Sequence, residues 1–96
     1  MKKAVVLCNE RHDSPVDECI FPRDYFEKEG SIFNWGCMEK QVHRTLAGAD
    51  EVELYVTGLT TALTVVINWC YRNNVKLTLF HYNRATKGYV RQEMFK

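Results

Sequence analysis

Val52-Glu53-Leu54-Tyr55-Val56-Thr57-Gly58-Leu59-Thr60-Thr61, followed by the apolar run Ala62-Leu63-Thr64-Val65-Val66-Ile67-Asn68-Trp69-Cys70, decides how the rest of the chain is read. Val52, Leu54 and Val56 alternate with Glu51, Glu53 and Tyr55, the period of a strand with one face less covered than the other, which predicts a place near a sheet edge. Leu59, Ala62, Leu63, Val66 and Cys70 then recur at helical spacing. Residues 52–81 therefore predict a strand, a tight turn, a helix and a second strand. The turn brings the hydroxyls of Thr57, Thr60 and Thr61, and the bare backbone of Gly58, to the unpaired N–H groups of a helix start, where an anion is favoured. Val65, Ile67 and Trp69 spread apolar surface around the helix. One sheet cannot cover all of it, so burial of Trp69 under a long loop or against a second copy of the chain is expected.

Beyond the helix, Asn73-Asn74 turns the chain, and Val75, Leu77, Leu79 and His81 alternate with Lys76, Thr78, Phe80 and Tyr82 along a long strand. Ala85-Thr86-Lys87-Gly88 reads as a hairpin turn with Gly88 suited to positive φ, and residues 89–95 as its return strand. Toward the N-terminus, Asn34 is placed to cap a helix carrying Trp35, Met38, Val42 and Leu46 on one face, with Gly48 as its stop. Glu39, Lys40, His43 and Arg44 occupy the opposite, solvated face. Residues 14–33 carry scattered helix-start and helix-stop signals, read as short helical turns that serve as a cover, with Ile32-Phe33-Trp35 packed beneath them or offered to a partner. Ala4-Val5-Val6-Leu7-Cys8 is a continuous apolar run, the pattern of a central strand of a parallel sheet. The order predicts one α/β domain over residues 1–96: a small Rossmann-like parallel three-stranded sheet with an appended antiparallel C-terminal strand and helices on its faces.

The chain has 96 residues, enough for one core, and 46% apolar residues, too many for a disordered chain. Its formal charge of +1 supplies no long-range field for nucleic acid or an anionic membrane, so no long nucleic acid and no membrane partner is expected. The longest apolar stretch, residues 59–71, is well short of the ~20 residues that span a bilayer. Cys8, Cys19, Cys37 and Cys70 contain no Cys-x-x-Cys pair, and Met1-Lys2-Lys3 leads into a run too short for a secretory leader; reduced thiols in a cytoplasmic protein are expected. His43 has no second ligand at metal spacing, so neither a metal nor a cofactor is expected.

Parallel strands leave their carboxyl ends on one edge, where open α/β sheets place ligands. Three polar groups are thereby expected together: Asn9, Arg11 and His12 after the first strand, Thr57, Gly58, Thr60 and Thr61 after the second, and His81, Asn83 and Arg84 near the end of the third. Arg11 and Arg84 would complete the coordination of an anion held at the threonine turn. His12 and His81 are the candidate general acid and base if a phosphodiester is cleaved there. The chain has no Gly-x-Ser-x-Gly elbow, Walker lysine motif, His-Glu-x-x-His or dinucleotide glycine fingerprint.

Leu54-Tyr55-Val56-Thr57-Gly58-Leu59-Thr60-Thr61-Ala62-Leu63, with the helix and strand after it, resembles the strand-turn-helix of CRISPR-associated Rossmann-fold (CARF) domains and related small nucleotide sensors. The resemblance covers the second half of the chain, which carries Leu59 and Thr60 where that family usually has a second Gly and a Lys or polar residue. It implies that Thr57, Gly58, Thr60 and Thr61 cradle phosphates of a nucleotide or cyclic oligonucleotide signal, and that a homodimer binds a two-fold ligand across its interface. The expected function is a small cytoplasmic binding domain in defence, acting as sensor, sponge or, as an enzyme, a ring nuclease. The alternative is a protein-interaction or regulatory subunit of a mobile element, docking through the apolar helix face and Ile32-Phe33-Trp35 with no small-molecule ligand.

Overall fold

The apolar run near the N-terminus forms strand β1 (Lys2–Cys8), in which Val5, Val6, Leu7 and Cys8 are all buried. Consecutive residues of a strand point to opposite faces, so this end of β1 is covered on both sides. The structure, a computed structural model, describes residues 1–8, 15–22, 24–28 and 32–95. Four more strands, β2 (Cys19–Phe21), β3 (Glu51–Tyr55), β4 (Lys76–Asn83) and β5 (Gly88–Phe95), join β1 in a single sheet of order β2-β1-β3-β4-β5. The first four are parallel and β5 returns antiparallel along β4. With helices α1 (Tyr25–Lys28), α2 (Trp35–Leu46) and α3 (Thr60–Arg72), the result is a mixed α/β fold of the small Rossmann-like kind, larger by one strand than the sequence predicts.

The added strand lies in the segment read as short helical turns. A helical turn does form at α1, but Cys19-Ile20-Phe21 pairs with β1 instead, in the register Val6↔Cys19 and Cys8↔Phe21. Three residues are too few to show either periodicity, and their pairing partner is remote in sequence. Ile20 and Phe21 are buried, Phe21 stacks on Phe26 and meets Tyr25 edge-on, and Gln41 Nε2 donates to the Ile20 carbonyl at 2.8 Å. This part of the expected cover is therefore core. Because β2 takes one edge and β5 the other, β3 is the central strand rather than a peripheral one. Its half-exposed alternation has another cause: among the described residues no helix lies over one of its faces.

Asn34 Oδ1 accepts from the Cys37 amide at 3.2 Å and caps α2, whose Met38, Val42 and Leu46 are buried; Gly48, at φ +89°, follows its end. α3 buries Ala62, Val66, Trp69 and Cys70. The two helices pack against each other over Val5, Leu7, Val52, Leu54, Leu77 and Leu79, so both lie on one face of the sheet, not on its two faces. Handedness explains this. The connections β2-to-β3 and β3-to-β4 advance in the same direction, and right-handed crossovers that advance together fall on the same side.

Trp69 is buried within its own chain, 5% exposed, with its ring 5.8 Å from that of His43 on α2; neither a covering loop nor a second copy is needed. The reverse holds for Ile32-Phe33-Trp35. Phe33 is 65% and Trp35 53% exposed, because only the stripe Met38, Val42 and Leu46 reaches the core and no described layer lies over the turn before it. At the C-terminal hairpin, positive φ falls on Lys87 (φ +58°), not on Gly88, which is already in β5 opposite Asn83. No described helix is long and apolar enough to cross a membrane.

Trp69→Ala removes a buried indole that joins the two helices, so it should cost about 3–5 kcal/mol in urea unfolding. Light scattering should give the same mass for the variant and the parent chain.

Candidate functional site at the carboxyl edge of the sheet

The β1–β3 ladder ends at Val6↔Tyr55, and β1 runs two residues further to Cys8. There the Thr57 hydroxyl accepts from the Cys8 amide at 2.9 Å and donates to the Cys8 carbonyl at 2.6 Å. One side chain thus takes the place of the next ladder residue, since a hydroxyl is both donor and acceptor. The backbone then bends through Gly58 at φ +68°, which an L side chain adopts only with strain, and passes Leu59, the N-cap residue of α3.

Among the described residues no side chain caps α3. Leu63 N–H donates to the carbonyl of Leu59, the N-cap, at 3.1 Å, so the amides of Thr60, Thr61 and Ala62 precede the intrahelical ladder. The Thr61 hydroxyl is buried with no hydrogen-bond partner among the described residues, while Thr64 turns its own hydroxyl back to the Thr61 carbonyl at 2.8 Å. Thr60 and Gly58 are exposed.

The chain leaves β1 toward β2 on one side and leaves β3 toward β4 on the other. Neighbouring strands whose connections diverge define a topological switch point, the usual ligand crevice of an open α/β sheet. The turn at residues 57–61 lies at that point. β4 projects beyond it: Val56 N–H donates to the Phe80 carbonyl at 3.0 Å, and residues 81–83 pair with β5 alone. His81 is half-buried with Nε2 2.8 Å from Gln92 Oε1 across the hairpin. Asn83 Oδ1 accepts from the Ala85 amide at 2.9 Å and shapes the hairpin loop, in which Arg84 is exposed.

The structure thus gathers Thr57, Gly58, Thr60 and Thr61 in one turn. It gives the Thr57 proton to Cys8 rather than to an anion, and ties His81 and Asn83 into the hairpin. Asn9, Arg11 and His12 lie outside the described residues. Among those described, no three His, Cys, Asp or Glu side chains cluster as metal ligands.

Two features went unread in the sequence. Between α2 and α3, a concavity of about 660 Å³ is lined by Lys40, His43, Arg44, Trp69 and Arg72, with Arg72 paired to Glu39. The other is a group of aromatics, Tyr55, Phe80, Tyr82 and Tyr89, on the sheet face opposite α2 and α3; the signal was present, since these residues share one parity along three strands.

The fold defines the class: a small Rossmann-like α/β domain with its switch point between β1 and β3. No family model, curated protein or solved structure matches the chain.

Thr57→Val leaves the amide and carbonyl of Cys8 without this partner and should cost about 1–3 kcal/mol in denaturant unfolding, whereas Thr57→Ser should retain most of the stability. Burial pushes the Cys70 thiol from the ordinary 9.0 up to about 12. Folding therefore holds a proton that the unfolded chain releases above pH 9. Its contribution to stability is complete below that pH and is lost as pH rises toward about 12. Melting temperature should accordingly fall more steeply between pH 9 and 11 in the parent chain than in Cys70→Ala.

Proposed function

We propose that the domain binds a phosphate-bearing nucleotide or cyclic oligonucleotide at the turn formed by Thr57, Gly58, Leu59, Thr60 and Thr61. The observation that carries this reading is the start of α3 at the switch point: among the described residues its first amides have no side-chain cap and the buried Thr61 hydroxyl beside them has no partner. A helix N-terminus presents about half a positive charge and several N–H donors, and a buried hydroxyl without a bond is unfavourable unless something outside the chain completes it. A phosphate or other oxyanion satisfies both. In this reading Thr57 is a positioning residue, fixing the turn to β1, and Gly58, Thr60 and Thr61 face the ligand. A cyclic oligonucleotide, with phosphates around a closed ring, would engage two such turns in a homodimer.

The reading is binding; cleavage would need His81, whose Nε2 lies 2.8 Å from Gln92 Oε1, or His12, which lies outside the described residues. A second reading, docking of a protein partner, is favoured by the exposed Ile32, Phe33 and Trp35.

Thermal-shift titration with mononucleotides and cyclic oligonucleotides separates the two, since a ligand at 100 times its Kd stabilises by about 2.7 kcal/mol. Thr61→Val removes an unsatisfied hydroxyl at nearly constant shape, so the ligand-free variant should be as stable as the parent or more so. The ligand-induced shift should disappear. A shift that survives Thr61→Val places the ligand elsewhere, and no shift with any phosphate-bearing compound leaves the docking reading.

A further inference from the structure

Each crossover that carries a long helix falls on one face of the sheet, and over β3, β4 and β5 the other face carries no helix among the described residues. Register pairs show what occupies it. Tyr55 of β3 lies opposite Phe80 of β4, Phe80 opposite Arg91 of β5, and one row further Tyr82 lies opposite Tyr89. The rings touch in sequence: Tyr55 and Phe80 stack at 4.8 Å and 16°, Tyr89 meets Tyr55 edge-on at 5.0 Å, and Tyr82 meets Tyr89 at 5.4 Å. Tyr82 is 52% and Tyr89 38% exposed, so both offer ring surface to solvent.

The charge around these rings is one-sided. Residues 76–95 carry Lys76, Arg84, Lys87 and Arg91 against Glu93 alone, although the whole chain is only +1. Arg84 and Lys87 sit in the exposed loop beside Tyr82 and Tyr89 and make no ion pair among the described residues. Of the carboxylates on this face, Glu53 and Glu93 are paired with Lys2 and Arg91, each at 3.0 Å, and Glu51, at the far end of β3 from the rings, lies between Lys2 and Lys76 in the register. An aromatic surface next to unpaired cations fits a polymer with flat apolar bases and a regular anionic backbone. It does not fit a second copy of the chain, because a two-fold contact through this face would set one basic hairpin against the other.

We infer that the helix-free face of the β4–β5 hairpin binds single-stranded nucleic acid, with bases stacked on Tyr82 and Tyr89 and the backbone drawn to Arg84 and Lys87. Sequence preference is weak, since every base has a π-face, and a duplex, whose bases are already stacked, binds less well. The low overall charge makes this a local attraction suited to short strands.

The test is fluorescence anisotropy with a labelled single-stranded 12-mer and its duplex, at several salt concentrations. The single strand should bind more tightly than the duplex, with affinity falling as salt rises. Tyr82→Ala and Tyr89→Ala should each weaken it roughly 5- to 100-fold. Tyr82→Phe, which keeps the ring, should restore binding to near the parent value, and Arg84→Gln with Lys87→Gln should flatten the salt dependence. Tyr82 is exposed, so circular dichroism should show both its variants folded. Thr61→Val should leave binding unchanged, which separates this face from the turn at the switch point. The inference is overturned if the parent chain does not bind at low salt, or if binding is indifferent to Tyr82→Ala. Loss of binding on Thr61→Val instead, or a dimer that Tyr82→Ala splits, overturns it too.

Discussion

The pair of hydrogen bonds between the Thr57 hydroxyl and the Cys8 backbone is the constraint on which the carboxyl edge of this domain depends. β3 must leave the sheet so that α3 can begin, yet β1 continues, and the last residue of β1 would lose its neighbour on that side. A short side chain able to donate and accept at once closes the gap. The positive φ of Gly58 and the start of α3 follow directly, so the orientation of the helix amides is inherited from this contact. The sequence invited reading Thr57 as a ligand donor; in the structure its hydroxyl is bonded to Cys8 and holds the turn of Gly58, Thr60 and Thr61 in place.

Topology governs the two faces of the sheet. Two crossovers advancing the same way put α2 and α3 side by side, where they enclose nearly all of the aliphatic core and the indole of Trp69. Over β3, β4 and β5 the other face is left, among the described residues, to side chains. Near β1 and β2 it is closed, with Val6 and Cys8 buried, and over the hairpin it is a surface of aromatic rings and paired or exposed charges. A domain this small buries only part of its surface, so a one-sided arrangement is economical for folding and leaves a large area for recognition.

Net charge and composition were poor guides to that area. A formal charge of +1 is an average over a chain whose cations are spread along its length while nearly all of its carboxylates lie before the last two strands. Fields between exposed groups decay within about 10 Å at ordinary salt, so the local grouping matters more than the sum. The same applies to the groove between the helices, where Lys40, His43, Arg44 and Arg72 meet although two separate helices supply them.

What the chain determined by itself is what short-range periodicity encodes. Val5 to Cys8, the alternation through Val52 and Leu54, the Asn34 cap with its Met38-Val42-Leu46 stripe, the helix after Gly58 and the hairpin were legible because each pattern sits within a few residues. The bend at Gly58 was legible for the same reason. Tertiary structure alone decided that Cys19-Ile20-Phe21 is a strand, that β3 is central, that Trp69 is enclosed by α2, and that Thr57 bonds to Cys8 while His81 turns to Gln92. Each of these joins residues far apart along the chain or depends on which side of the sheet a crossover takes. Handedness and register, not local preference, settle such questions.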